Sequence, residues 1–484
     1  MPVDPFSSAV ELAAAIRARR ATAGDLVEMY LARIERHNGP LNAICTLDAL
    51  GARVRAREAD GAMARGDVWG PLHGVPMTIK DALETAGLRT TGGHPPLADH
   101  IPAKDASAVA RLRAAGAILL GKTNVPPLSS DYRADNEIFG RTNNPWNLER
   151  TPGGSTGGGA AAVAAGLCAF DVGSDLAGSV RTPAHFCGLF GLKPTERRIP
   201  NTGHIPEPPN LPRAVRHMNV LGPLARSVDD LALITKAICG PDDAEWDVPP
   251  VPWTDPPERE LRSYRLAWST DFGGIPITGD TRSAIAKLAA GLAQSGCEIE
   301  ECNPTAFSFD EAWEIWGEIA ITERAATGGD RSRERVSALN ATLGEAYAVA
   351  RGSARGVRAT VADYAAALTR RDALITKLEK FFERWDAFIC PVTVSPAIGH
   401  VPFGTPIDVG GAKVPYFIAG TAYTCPFNLT GHPSVVLPLG ANRDGLPIGV
   451  QLVAKRWAEP ALLALARKVA LITGPFTPPP NFKA

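Results

Sequence analysis

The chain has no excess charge, no long apolar run and no clustered cysteines, and each absence removes a class of function. Lysine plus arginine number 50 against 51 aspartates and glutamates, a net charge of −1. That balance offers no field for nucleic acid or an acidic membrane surface. No uninterrupted apolar stretch reaches the roughly 18 residues that a spanning helix needs. The N-terminal segment contains Asp4 and Glu11 and lacks an apolar core, so it does not read as a secretory signal. The eight cysteines are scattered, mostly in apolar runs, without a C-x-x-C pair. They suggest neither a disulfide framework nor a zinc site, and they fit a reducing, cytoplasmic setting. His94 and His100, beside Asp99, lack the spacing of a ligand motif. No cofactor is implied. The phosphate pattern G-x-x-x-x-G-K-[ST] is missing, as is G-x-G-x-x-G with a downstream ribose acid. No Gly/Ser linker, charge block or low-complexity tract divides the 484 residues.

What the chain does have is glycine and serine, concentrated between Thr151 and Ala184. Two turns there each carry a serine: Gly153-Gly154-Ser155-Thr156-Gly157-Gly158-Gly159 and Asp175-Leu176-Ala177-Gly178-Ser179-Val180-Arg181. Glycines ahead of a serine leave consecutive N–H groups uncovered, as an oxyanion site requires. Either turn alone reads more simply as ordinary loop chemistry. A third element changes the balance. Gly74-Val75-Pro76-Met77-Thr78-Ile79-Lys80-Asp81 is a short apolar strand ending in lysine, a residue seldom buried without a partner or a task.

These pieces resemble the amidase signature family. The resemblance rests on GVPMTIKD, on GKTN at 121–124, GRTNNPWN at 140–147, TPGGSTGG and GSDLAGSVRTPA, and on GLFGLKPT at 188–195 and GPLARSVDDLALI at 222–234. It extends through DAFICPV and FNLTGHPSVVLPLG…DGLPIGVQLV, from about residue 6 to about residue 470. It implies one α/β domain over 1–484 with a large mixed sheet covered by helices on both faces. The parts are N-terminal helices at about 6–66, a core at about 70–235, a variable helical cap at about 306–384, and closing strands and a helix at about 385–472. It also implies a Ser-Ser-Lys triad. Ser179 is the nucleophile, and Ser155, at a cis peptide bond, bridges it to Lys80. Backbone N–H groups of Leu176, Ala177, Gly178 and Ser179 form the oxyanion hole. Lys80 must be neutral to act, so burial should depress its pKa and favour an alkaline optimum.

Departures from the family pattern mark where specificity should lie. Val125 to Ser130 lacks the acid many relatives carry and should reshape a pocket wall. Glu196 to Arg216, with Arg197 where relatives often have glycine, reads equally as a specificity loop or a plain connector. Gly154, Thr156, Arg197 and Arg198 are the candidate substrate contacts. Asp175 with Arg181 reads as a loop anchor, and Asp81 as a buried acceptor. Trp313, Trp316 and Phe309 of the cap either line the pocket or belong to the core. The expected activity is hydrolysis of linear amides, extending to esters and carbamates, by a monomer or homodimer without a cofactor. The alternative is the glutaminase subunit of a tRNA-dependent amidotransferase complex.

The remaining pattern gives the elements. Ser7-Ser8 should cap a helix from Ala9, and Thr22 with Asp25 a second one ending at Asn38-Gly39-Pro40. Ala49–Arg65, Ala106–Ala115, Thr281–Gln294 and Ala461–Ile472 read as further helices. Strands are expected at 72–79, 117–120, 169–172, 264–268, 387–390, 434–438 and 448–453.

Overall fold

The structure, a computed structural model, describes residues 3–205, 213–343 and 346–483. An eleven-stranded mixed sheet runs through it. From one edge to the other its strands are Ile44–Leu47, Ile118–Thr123, Pro76–Lys80, Asp171–Asp175, Val220–Ala225, Phe190–Lys193, Ser434–Ala441, Pro447–Val453, Ala387–Pro391, Arg265–Trp268 and Glu298–Glu301. Pro76–Lys80 pairs in parallel with Ile118–Thr123 and with Asp171–Asp175. Asp171–Asp175 meets Val220–Ala225 antiparallel, and Ser434–Ala441 with Pro447–Val453 forms the late antiparallel hairpin.

Alternation along the strands explains the layers. Ala387 and Ile389 belong to one hydrophobic core while Phe388 and Cys390 belong to another. Successive side chains of a strand point to opposite faces, so each face must be covered. Helices Val228–Ile238, Gly279–Gln294 and Glu459–Thr473 contribute to the first core. Helices Phe309–Leu343, Ala348–Gly356 and Val361–Arg384 contribute to the second.

Both N-terminal capping boxes form, Ser8 with Glu11 and Thr22 with Asp25. The second helix does not stop at Asn38-Gly39-Pro40; it spans Ala23–Leu41. Pro40 lies inside its last turn, and Asn42, in the left-handed region at φ 51°, ends the helix. The strand expected at 169–172 runs from Asp171 to Asp175 and so carries the chain directly into the second serine turn. The small residues before it form helix Gly157–Ala164, wholly buried. Strands at Ile44–Leu47, Val220–Ala225 and Glu298–Glu301 were not expected from the sequence pattern.

Candidate active site

Three parallel strands end side by side at Lys80, Thr123 and Asp175. The carboxyl ends of such strands are where open α/β sheets bind ligands. Lys80 is fully buried there. Its Nζ donates to Ser155 Oγ at 2.6 Å and to Ser174 Oγ at 2.9 Å. Burial lowers its pKa to about 7, against the raising effect of Asp171 and Asp175. The Gly154–Ser155 peptide bond is cis.

The second serine turn is tied to the first and to the cap from behind. The Ser179 carbonyl accepts from the Thr156 N–H at 3.1 Å. The Leu176 carbonyl accepts from Trp316 Nε1 at 3.2 Å, and the Ala177 carbonyl from Thr424 Oγ1 at 2.7 Å. Gly178 adopts φ 111°, and a Cβ on it would stand 2.7 Å from Thr424 Oγ1, so only glycine fits. With the carbonyls engaged, the N–H groups of Leu176, Ala177 and Ser179 meet no acceptor among the described residues. The expected four-donor oxyanion hole needs one correction. The Gly178 N–H donates to Asp175 Oδ1 at 2.8 Å, so the carboxylate that shapes the loop occupies it.

Asp175 and Arg181 are that loop's anchor. Asp175 also accepts from the Val180 N–H, from Arg181 Nε and Nη2, and from Asn428 Nδ2. Both charges are fully buried. Burial alone would raise the Asp175 pKa; the Arg181 guanidinium outweighs it and holds the carboxylate well below its usual range. Asp81 is a buried acceptor for the hydroxyl and N–H of Thr91. His185, on the helix after Ser179, has both ring nitrogens on backbone groups, Ser395 O at 3.0 Å and Gly449 N at 2.6 Å.

Ser179, Leu176 and Ala177 are partly exposed and face a cavity that also touches Gly154. Its walls include Tyr132, Trp316, Ile321, Tyr416 and Phe417. Ser129 and Ser130 line it as well, so the atypical segment after GKTN does form pocket wall. Leu128 and Ser129 both hold positive φ there, 48° and 55°. Of the three cap aromatics, only Trp316 lines the cavity. Trp313 donates to the Ala422 carbonyl, and Phe309 stacks on Phe272 at 3.8 Å in the core.

The other candidate contacts lie elsewhere. Thr156 is buried at the start of helix Gly157–Ala164, its hydroxyl 3.5 Å from Ser174 O. Arg197 pairs with Asp247 at 3.6 Å, and Arg198 turns inward to the carbonyls of Val251 and Pro252. Neither arginine lines the cavity of Ser179. Of the 196–216 loop, residues 206–212 lie outside the described residues. Its end is fixed to the cap through Glu323, which accepts from the N–H of Arg216 and lies 2.6 Å from His217 Nδ1.

Sequence reasoning missed Ser174 as a Lys80 partner. Ser174 sits on the strand that delivers Ser179, but a serine in a strand carries no local mark of its partner. It also missed Tyr132, Tyr416 and Phe417, which only tertiary folding brings together.

The fold and this arrangement define an amide-hydrolysing class. The chain matches the Amidase family model over residues 25–463 and belongs to that family, the amidase signature enzymes. It is 34% identical over 470 residues to a glutamyl-tRNA(Gln) amidotransferase subunit from Roseiflexus sp. (strain RS-1), covering 93% of each chain. Among solved structures, 6-aminohexanoate cyclic dimer hydrolase is similar with a TM-score of 0.82 and 30% identity, covering 99% of this chain and 100% of that one. A bacterial aryl acylamidase shares the fold, with a TM-score of 0.80 at 24% identity over 97% of each chain.

Proposed function

We propose that this amidase signature enzyme hydrolyses amides carrying apolar or aromatic groups, through an acyl intermediate on Ser179. The observation that carries the reading is the buried Lys80 Nζ, 2.6 Å from Ser155 Oγ, at the sheet end where Ser179 faces a cavity that Tyr132, Trp316, Tyr416 and Phe417 help to wall. With Lys80 neutral, Ser155 gives its proton to Nζ and takes the proton of Ser179. Ser179 Oγ bonds to the carbonyl carbon, and the carbonyl π electrons move to oxygen. The N–H groups of Leu176, Ala177 and Ser179 receive that oxyanion. When the intermediate collapses, the C–N bond breaks, the leaving amine takes the proton from Ser155, and Lys80 Nζ returns its proton to Ser155. Water then releases the acid by the same relay. Esters and aryl carbamates, with better leaving groups, should pass through the same intermediate.

A second reading is the glutaminase subunit of a tRNA-dependent amidotransferase. The names of the sequence relatives favour it over the first reading. The aromatic walls favour the first, while Asp131 and Arg324 on the same cavity give a zwitterionic amino acid two charges to meet. The test is turnover of an aryl anilide, an aryl ester, an aryl carbamate and L-glutamine by the purified chain. Cleavage of the aryl substrates without partners is the expected result. Glutamine turnover that appears only with copurifying subunits, the anilide being untouched, establishes the second reading instead.

A further inference from the structure

Asp171 is a fully buried carboxylic acid outside the triad. Its Cα is in register with Thr78, two residues before Lys80 on the parallel neighbour, so Thr78 and Lys80 share a face. Its Oδ2 accepts from Thr78 Oγ1 at 2.7 Å and from Thr123 Oγ1 at 3.0 Å. Thr123 belongs to the strand on the far side of Pro76–Lys80, where its Cα partner is Lys80 itself. To reach that hydroxyl the carboxyl must lie across the strand that carries Lys80. Its Oδ1 is buried without a partner. Helix Gly157–Ala164 backs onto it so closely that a Cβ on Gly159 would stand 2.3 Å from Oδ1.

We propose that Asp171 is a positioning residue for the hydrolysis proposed above: its charge sets the pH at which Lys80 becomes the neutral base. The inference rests on that reading of Lys80. An ionised Asp171 favours the ammonium form of Lys80, and a protonated one releases it. Burial raises the Asp171 pKa and lowers that of Lys80, so each group bears on the charge of the other.

The other charges around the pair are accounted for. Lys122 also acts on Asp171, but its ammonium is held by Leu83 O, Thr85 and Thr90. Cys168 lies 3.2 Å from Thr78 Oγ1, and burial pushes its thiol up to about 12. Arg226, which acts on Cys168, is spent on the carbonyls of Val163 and Cys168. Asp175 acts on Lys80 from the same strand as Asp171 and is committed to Arg181. His204 is buried, and its pKa lies far below normal through burial first and the charge of Lys80 second. Helix Gly157–Ala164 and strand Val220–Ala225 contain no titratable side chain.

The test is kcat/KM against pH for a neutral anilide, with wild type, Asp171→Asn, Thr123→Val and Lys80→Met. Asn keeps the shape and the acceptor oxygen but removes the charge. The acid limb should move to lower pH by about one unit, so that below the limb the variant retains about tenfold more of its plateau rate than wild type. Thr123→Val removes one donor from the carboxylate and should move the limb the same way by less. A limb that stays in place while the plateau falls, or that moves upward, overturns the proposal. Should Asp171→Asn not fold, the direction of the Thr123→Val shift decides. A Lys80→Met enzyme that keeps the wild-type profile removes the hydrolytic reading itself, and the proposal with it; loss of turnover in Lys80→Met beside an unmoved limb in Asp171→Asn removes the proposal alone.

Discussion

Lys80 and Lys122 stand on neighbouring parallel strands, one register step apart, and both are fully buried. Burial depresses both, Lys80 to about 7 and Lys122 to about 8. Depressed basicity therefore does not distinguish them; their partners do. Lys122 donates to the Leu83 carbonyl and to the hydroxyls of Thr85 and Thr90. Three acceptors match the three donors of an ammonium, and a carbonyl can only accept. Lys80 meets two serine hydroxyls, which can donate as well as accept, so its partners serve the neutral amine equally well. One site stores a charge as structure. The other, in the hydrolysis proposed above, lets a proton move. A buried lysine is a candidate base only when its partners tolerate both of its protonation states.

The largest expected effects fall on the Lys80 side. Ser179→Ala removes the nucleophile and should lower kcat/KM for an anilide by about 10⁴-fold or more. Lys80→Met should cost about 10²–10⁴-fold, the range of a lost general base, while thermal unfolding stays near wild type. In wild type the sign is fixed by the base: kcat/KM should rise with pH through about 7 and level off above it, since only the deprotonated amine accepts a proton. A rate flat from about pH 6 to about pH 9 would break the assignment.

Stability effects come next and belong to the structural charges. Arg181→Met strands Asp175 and should cost about 3–5 kcal/mol in denaturant unfolding. Asp175 has a depressed pKa when folded, so its pairing stabilises above the ordinary carboxylate range and is lost on acidification. The gap between wild type and Arg181→Met should accordingly be full at neutral pH and narrow below about pH 4. Lys122→Met should cost less, about 1–3 kcal/mol for the acceptors it leaves unmet, with turnover retained in the folded protein. A Lys122 variant that keeps its stability but loses turnover would reverse the comparison. The smallest effect is Trp316→Ala. It removes one cavity wall and the donor to the Leu176 carbonyl, so it should raise KM for a bulky anilide by less than about tenfold and lower kcat for acetanilide by less still.

The candidate residues were more legible than the shape of the pocket. Either serine turn alone reads as ordinary loop chemistry, so Lys80, Ser155 and Ser179 were legible only through the family resemblance of their motifs; the fold brings Lys80 to Ser155 and sets Ser179 at the cavity. Asp175 with Arg181 was legible as an anchor. Ser174 and Asp171 were not, because a serine or an aspartate in a strand carries no local mark of what crosses beneath it. The pocket walls come from 129–132, the cap and 403–421, segments far apart in sequence whose aromatic residues look like core until they meet. Arg197 and Arg198 illustrate the converse. Their position after a motif drew them toward the site, but the left-handed Arg197, at φ 66°, lies where the chain leads Arg198 inward to the 251–252 carbonyls.

The central claim is that Ser179 carries the acyl group. Its most direct test is peptide mass analysis of the protein acid-quenched during turnover of an aryl ester. The account predicts the acyl mass on the peptide containing Ser179, absent in Ser179→Ala. Steady turnover with the adduct on another residue, or with a Ser179→Ala enzyme that remains active, would contradict it.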